Sequence, residues 1–344
     1  MELWKYLQQS KKPIVLYGMG NGADRILDVL HERGIRAAGV FASDGFVRHQ
    51  NFRGFTVCSY DELKEKFGEM TVLLAFGTHR PEVIANVLRI MKEQEVYAPD
   101  VPIAGCELFD EAFVYTHLDE LKEVYGMLAD EQSKKVFKNV VRAKLTGEIL
   151  PLLDCESDPK EAYDLFGLGK RERYLDIGAY TGDTVLRFLK WTDGQYERID
   201  AVEPDRRNFQ KLLLNTEHLE NVFCHHCCLD QQIGTRYFAM DGGRKSKMLT
   251  EGDAILAQTV DHLLDGKVVS LIKMDVEGME SAVLKGAFHT IRRFKPRMDV
   301  AAYHRSEDLF SLPLLVRHIQ PNVQVYLRHF ASLPAWDTNF YFKW

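Results

Sequence analysis

Between Pro13 and Pro102, short β-branched and aliphatic runs alternate with stretches whose apolar residues recur at helical spacing. Ile14–Tyr17, Ala37–Phe41 and Thr71–Phe76 read as strands. Ala23–Arg33, Asp61–Phe67 and Pro81–Gln94 read as helices, the last opened by a proline in its first turn. Such alternation predicts a parallel sheet covered by helices. From about Leu108 to Gly147 the strand signals vanish. Leu118, Leu121, Val124, Tyr125 and Leu128, then Val136, Phe137, Val140, Val141 and Leu145, mark two helices bridging to the second half, with Gly147 and Pro151 as punctuation.

Alternation resumes at Tyr174. Strands are predicted at Tyr174–Ile177, Arg198–Val202, Val222–Cys227, Leu271–Met274, Met298–Tyr303, Gln324–His329 and Asn339–Phe342. Helices fit between the first five. The last two are joined only by Phe330–Thr338, a proline-containing loop that suits an antiparallel pair at a sheet edge. The fold class is therefore α/β with two doubly wound sheets, divided into residues 1–105, a helical bridge over 106–150, and a second domain over 151–344. A length of 344 residues, 46% of them hydrophobic, is enough for two separate cores.

Charge narrows the partners. A net charge of -6 without a dense basic block gives no footprint for nucleic acid, and neutral or polar small substrates fit better. Residues 1–10 read as a short amphipathic helix rather than a secretory signal. The apolar runs are strand-length, far below the roughly 20 residues of a membrane helix, so no membrane insertion and a cytoplasmic location are expected. Three of the six cysteines crowd into Cys224-His-His-Cys-Cys228. On a strand these side chains alternate between faces and lack a second ligand pair, which favours free thiols over zinc.

Candidate chemistry begins after the strand at Tyr174, in Asp176-Ile-Gly-Ala-Tyr-Thr-Gly-Asp183. Gly178 and Gly182 let the backbone turn tightly and approach a ligand, and a helix starting near Thr184 offers free N–H groups. Tyr180, Asp183 and Thr184 belong to the same candidate binding loop. The next strand ends in Glu203-Pro204-Asp205, 27 positions after Asp176, where an acidic residue grips ribose hydroxyls in nucleotide-binding folds. A third element, Leu271-Ile-Lys-Met-Asp-Val-Glu-Gly-Met-Glu280, puts Asp275 at the end of the fourth strand, over the ligand crevice. Glu277 joins Asp275 as a functional candidate. Glu280 reads as a carboxylate enriching a helix N-terminus.

Together with Lys295-Pro296 and Tyr303-His304, these strings resemble the FkbM-type methyltransferase family over roughly residues 170–330. The resemblance implies a seven-stranded class I methyltransferase sheet, S-adenosylmethionine as cofactor, and methylation of a hydroxyl on a sugar, nucleotide-sugar, glycolipid or related natural product. An acidic residue is expected where Tyr303 stands. The cofactor would be held by Asp176, Gly178, Tyr180, Gly182, Asp183, Thr184, Glu203, Pro204 and Asp205. Methyl transfer needs a group to take the hydroxyl proton, and we expect His304 as base with Asp275 as partner. A divalent ion held by Asp275, Glu277 and His304 would also activate the hydroxyl, and the sequence does not choose.

The N-terminal half is similar to the Rossmann-like domain at the start of some sugar-modifying acyltransferases, through Val15-Leu-Tyr-Gly-Met-Gly-Asn-Gly-Ala23 and Ser43-Asp44. Gly18, Gly20 and Ala23 fit a dinucleotide pattern. Two rivals follow. One is a nicotinamide-dependent oxidoreductase or epimerase, for which Tyr60 and Lys64 have the right spacing but sit too early in the fold; the other is a non-catalytic nucleotide-sugar-binding protein. The sequence also leaves open a homo-oligomer paired through the N-terminal domain or the bridging helices. Tyr163, Phe166 and the aromatic C-terminus from Trp336 to Trp344 read mainly as packing.

Overall fold

The computed structural model describes residues 1–105, 107–239, 247–249 and 253–344. Its first sheet contains β1 (Ile14–Tyr17), β2 (Ala37–Phe41), β3 (Asn51–Phe52), β4 (Phe55–Cys58), β5 (Thr71–Leu74) and β6 (Glu95–Tyr97), in the order β3-β4-β2-β1-β5-β6. All pairs are parallel except the β3–β4 hairpin. β1 and β5 are buried throughout, as strands covered on both faces must be. β3, β4 and β6 escaped the sequence reading because these short, partly exposed runs write no continuous apolar stretch.

The bridge holds three helices where two were expected. Glu111–Thr116 precedes Leu118–Met127 and Glu131–Thr146. Asp130 caps the last by accepting from the Ser133 N–H, and Gly147 ends it in the left-handed conformation. Short helices at Leu150–Asp154 and Pro159–Asp164 lead into the second sheet.

That second half comprises β7 (Arg173–Ile177), β8 (Arg198–Val202), β9 (Val222–His225), β10 (Cys228–Leu229), β11 (Gly234–Ala239), β12 (Lys247–Leu249), β13 (Asp253–Gln258), β14 (Leu271–Met274), β15 (Arg297–Ala301), β16 (Gln324–His329) and β17 (Thr338–Lys343). Seven of them form one sheet in the order β16-β17-β15-β14-β7-β8-β9. It is parallel except for β17, which runs antiparallel to both neighbours. This is the class I methyltransferase arrangement. The remaining four build a small sheet, β10-β13-β11-β12, that the sequence reading missed. Gly234–Tyr237 stays largely open to solvent, so no buried face wrote an apolar alternation there.

Register places a polar row on one face of the large sheet. Lys273 of β14 lies opposite Asp176 of β7 on one side and Asp299 of β15 on the other, and Asp299 faces Tyr341 of β17.

Two separate cores were expected, one per half; the structure has one core that crosses between them. Val15 and Val72 of the first sheet, Val124, Val136 and Val140 of the bridge, and Ile272, Val300 and Phe340 of the second sheet belong to a single apolar cluster. Two smaller clusters cover the outer face of each sheet. Buried polar contacts pin the junction. Lys144 pairs with both oxygens of Asp100 at 2.8 Å, Arg328 pairs with Asp130 at 2.6 Å, and Thr78 and Leu333 exchange backbone hydrogen bonds of 2.8 and 2.9 Å. Among the described residues no helix is long and apolar enough to cross a membrane.

Candidate active site

A cavity of about 810 Å³ opens over the carboxyl ends of β7, β8 and β14, and both halves of the chain line it. At one end Gly178 turns at φ +82°, and a Cβ there would collide with the carbonyl oxygen of Asp275. The glycine thus brings the first loop against the end of β14. Gly182, at φ +89°, packs toward Leu212 below the loop. Tyr180, Asp183 and Thr184 line the cavity, whereas Asp176 lies beneath it, fully buried.

The Thr184 hydroxyl donates to Asp176 Oδ2, while Asp176 Oδ1 has no hydrogen-bond partner. Burial pushes the Asp176 carboxyl up to about 6, against the pull of Lys273. Glu203, 5% exposed, accepts from the Tyr180 N–H and the Asp205 N–H, each at 2.8 Å. Burial outweighs those two donors and raises Glu203 to about 7. Pro204 joins the lining; the Asp205 carboxylate turns away to cap the helix Arg206–Thr216, accepting from Arg207 and Asn208.

The other end is built around Asp275. Burial works against its charge, but Lys273 at 3.4 Å, His304 and Tyr303 together hold Asp275 below the usual carboxylate range. Tyr303, where an acidic residue was expected, donates its phenol to both Asp275 oxygens at 3.3 Å. Lys273 is buried among Asp176, Asp275 and Asp299, whose charges outweigh desolvation and raise its pKa. Asp299 receives a 2.9 Å hydrogen bond from Asn339, and burial lifts it to about 7.

His304 departs from the role expected of it. The ring is wholly buried and does not line the cavity. Its Nδ1 lies 2.9 Å from Glu280 Oε1, and its Nε2 lies 3.4 Å from Asp275 and 3.8 Å from Glu277. Burial disfavours the imidazolium, yet these carboxylates raise its pKa to about 10. A ring enclosed in this way does not reach the cavity, whereas Asp275 does. Glu280 stands at the helix start as expected, and its Oε1 also accepts from the Val276 N–H at 3.0 Å, closing the loop after β14.

Lys273, Asp299 and Asn339 were not singled out from the sequence. A signal was there: Asp176, Lys273 and Asp299 are each a charge with apolar residues on both sides within a buried strand. Tyr163 and Trp336, read as packing, line the cavity. Tyr163 stacks on Trp191, and Trp336 lies against Gly77. Phe166, Phe340 and Phe342 are core, as expected.

The N-terminal half reaches the same cavity through Gly77, Thr78, His79 and Ile103. The Ala104 N–H donates to the His304 carbonyl at 2.9 Å, and Ala104 leaves no room for a Cβ on Gly278. In its glycine-rich loop, Gly18 turns at φ +121°, and Gly22 rather than Ala23 makes the close approach, against the Ala75 carbonyl. Asp44 opens a one-turn helix, Asp44–Phe46. Tyr60 and Lys64 both bind Glu93, at 3.0 and 2.7 Å, outside the cavity. In the cysteine-rich string, His225 pairs with Asp200 at 2.9 Å, and burial pushes the Cys227 and Cys228 thiols up to about 11 and about 12.

Residues 176–331 match the family model described as the methyltransferase FkbM domain. The crystal structure of methyltransferase FkbM from Methylobacillus flagellatus KT is 23% identical, covers 98% of this chain and 92% of its own, and superposes with a TM-score of 0.73. An rRNA methylase from Streptococcus thermophilus is 13% identical over 54% of this chain and 96% of its own, with a TM-score of 0.36. Aeropyrum pernix fibrillarin, solved with natively bound S-adenosyl-L-methionine, is 15% identical over 54% of this chain and 74% of its own, at 0.35. No curated protein matches the chain. Residues 176–331 thus match the FkbM methyltransferase domain, and the chain as a whole shares the fold of the Methylobacillus flagellatus protein.

Proposed function

We propose that the chain is an S-adenosylmethionine-dependent O-methyltransferase acting on a hydroxyl of a sugar, nucleotide-sugar, glycolipid or related natural product. The observation that carries this reading is a single cavity with a glycine-lined, acid-ended pocket at one end and Asp275 at the other. The cofactor fits the first end. Gly178 lets the first loop close against the end of β14 at the cavity wall, and Glu203 offers a buried carboxylate to ribose hydroxyls. Tyr180, Asp183 and Thr184 would flank its amino-acid portion. When bound, S-adenosylmethionine supplies an electrophilic methyl group.

The chain's own residues then have to orient a hydroxyl and take its proton. Asp275, kept ionised by Lys273, His304 and Tyr303, accepts that proton at a carboxylate oxygen. Tyr303 fixes the carboxylate plane, and His304 acts as a positioning residue from behind. Carbohydrate as acceptor is supported by the lining, which mixes Glu156, Asp337 and Asn339 with the ring faces of Tyr163 and Trp336. Polar acceptors bind sugar hydroxyls, and aromatic faces bind their C–H surfaces.

Calorimetric titration of the full chain with S-adenosylmethionine tests the reading, because cofactor binding needs no acceptor. Micromolar binding lost by 100-fold or more in Glu203→Ala is expected. Binding of NAD in its place would overturn the reading.

A further inference from the structure

We infer that Asp275, Glu280 and His304 form a divalent-cation site opening onto the acceptor end of the cavity. Their potential ligand atoms all lie within 4.8 Å of one another, the spacing of groups that share one ion. Glu277 lies 3.8 Å from His304 Nε2 and can add a further oxygen.

An acidic cluster alone would carry little weight, but the hydrogen bonding here is incomplete. Neither ring nitrogen of His304 makes a well-aligned hydrogen bond, although Glu280 and Asp275 stand at 2.9 and 3.4 Å. Glu280 Oε2 also lacks a partner, with the residue 1% exposed and His304 0% exposed. Buried polar atoms are nearly always paired, and three orphaned atoms within one buried cluster mark the place of a missing partner. They comprise two ring nitrogens and a carboxylate oxygen, and a cation satisfies all that it touches. Charge points the same way. Asp308, 2% exposed, packs close to Glu280 and His304, so carboxylates outnumber the single imidazole.

Access is available although His304 is enclosed. Asp275 and Glu277 line the cavity, so an ion can enter from the acceptor side. Only one ring nitrogen would bind the ion; the other keeps a carboxylate neighbour, which orients a ligating imidazole. One imidazole with several carboxylate oxygens suits Mn²⁺ among the common divalent ions, with Mg²⁺ as the harder alternative. Held there, the ion would bind the acceptor hydroxyl and lower its pKa, while the second Asp275 oxygen stays free to take the proton. This consequence rests on the methyltransferase reading; the site itself rests on the geometry.

The test is Mn²⁺ titration of the metal-stripped full chain, followed by electron paramagnetic resonance, with S-adenosylmethionine calorimetry run in parallel. One bound Mn²⁺ per chain is expected, abolished in His304→Ala and weakened at least 10-fold in Glu280→Gln. Glu277→Gln, at the cavity surface, guards against a folding failure and should weaken binding more modestly. No Mn²⁺ bound at millimolar concentration by the folded wild type, or binding unchanged in all three variants, overturns the site. Persistence of S-adenosylmethionine binding in that event would show that the site alone has failed. Mn²⁺ bound without any cofactor binding would instead support the site and sink the methyltransferase reading.

Discussion

Gly178 joins two motifs that lie almost a hundred residues apart in the chain. Its positive φ costs a non-glycine residue roughly 1–2 kcal/mol, and the Asp275 carbonyl stands where a Cβ would go. Gly178→Ala is therefore expected to lower stability by more than about 2 kcal/mol and to abolish S-adenosylmethionine binding, read by denaturant melts and calorimetry. Retention of wild-type affinity would mean that the two loops are not locked together. At this scale spacing was enough to bring Gly178, Glu203 and Asp275 to one cavity. It left the burial of His304 unseen, because a histidine after a strand reads as open to a ligand until the Glu280 carboxylate beside it is seen. That contact depends on the turn closed by Val276 and Glu280, which no periodicity encodes.

Buried strands were legible where they were long and apolar, and the predicted strands of the large sheet lie within a few residues of those observed. What strand prediction does not supply is the lateral register that sets Asp176, Lys273 and Asp299 side by side. The bridge shows the same limit. The helix Glu131–Thr146 was visible from its period, but the partner of Lys144 was not, since Asp100 lies in a loop after β6. This pair is 3% and 5% exposed, so removing one member strands a charge. Asp100→Asn should destabilise the chain by about 3–5 kcal/mol, whereas Lys144→Met with Asp100→Leu should come close to neutral. Equal losses in the single and double variants would show that the pair contributes packing rather than charge compensation.

Across the whole molecule, burial leaves several acids reluctant to ionise. Asp176 is raised to about 6, and Glu203 and Asp299 to about 7. In each case the folded state holds a proton that the unfolded chain releases near pH 4. Stability is therefore highest below the unfolded value and falls as pH rises through the folded one, by up to about 1.4 kcal/mol per pH unit for each group. Melting temperature is expected to drop between pH 5 and pH 8, and Asp299→Asn should flatten the slope. A melting temperature that rises over this window would contradict the burial argument. Cofactor affinity should move in the opposite sense, weakening below pH 7 as Glu203 takes up its proton.

The turn Gly77–His79 follows the first sheet yet forms part of the wall of a cavity built mostly by the second half. Thr78 is tied to Leu333, and Gly77 lies against Trp336, so this wall is held at its own contacts, clear of the Gly178 loop. Such a layout separates two evolutionary pressures. Changes in the turn can redraw the shape offered to an acceptor while the cofactor end stays as it was. Diversification within a lineage would then be recorded in the N-terminal half, and grafting this turn between relatives should transfer acceptor preference with little change in cofactor affinity.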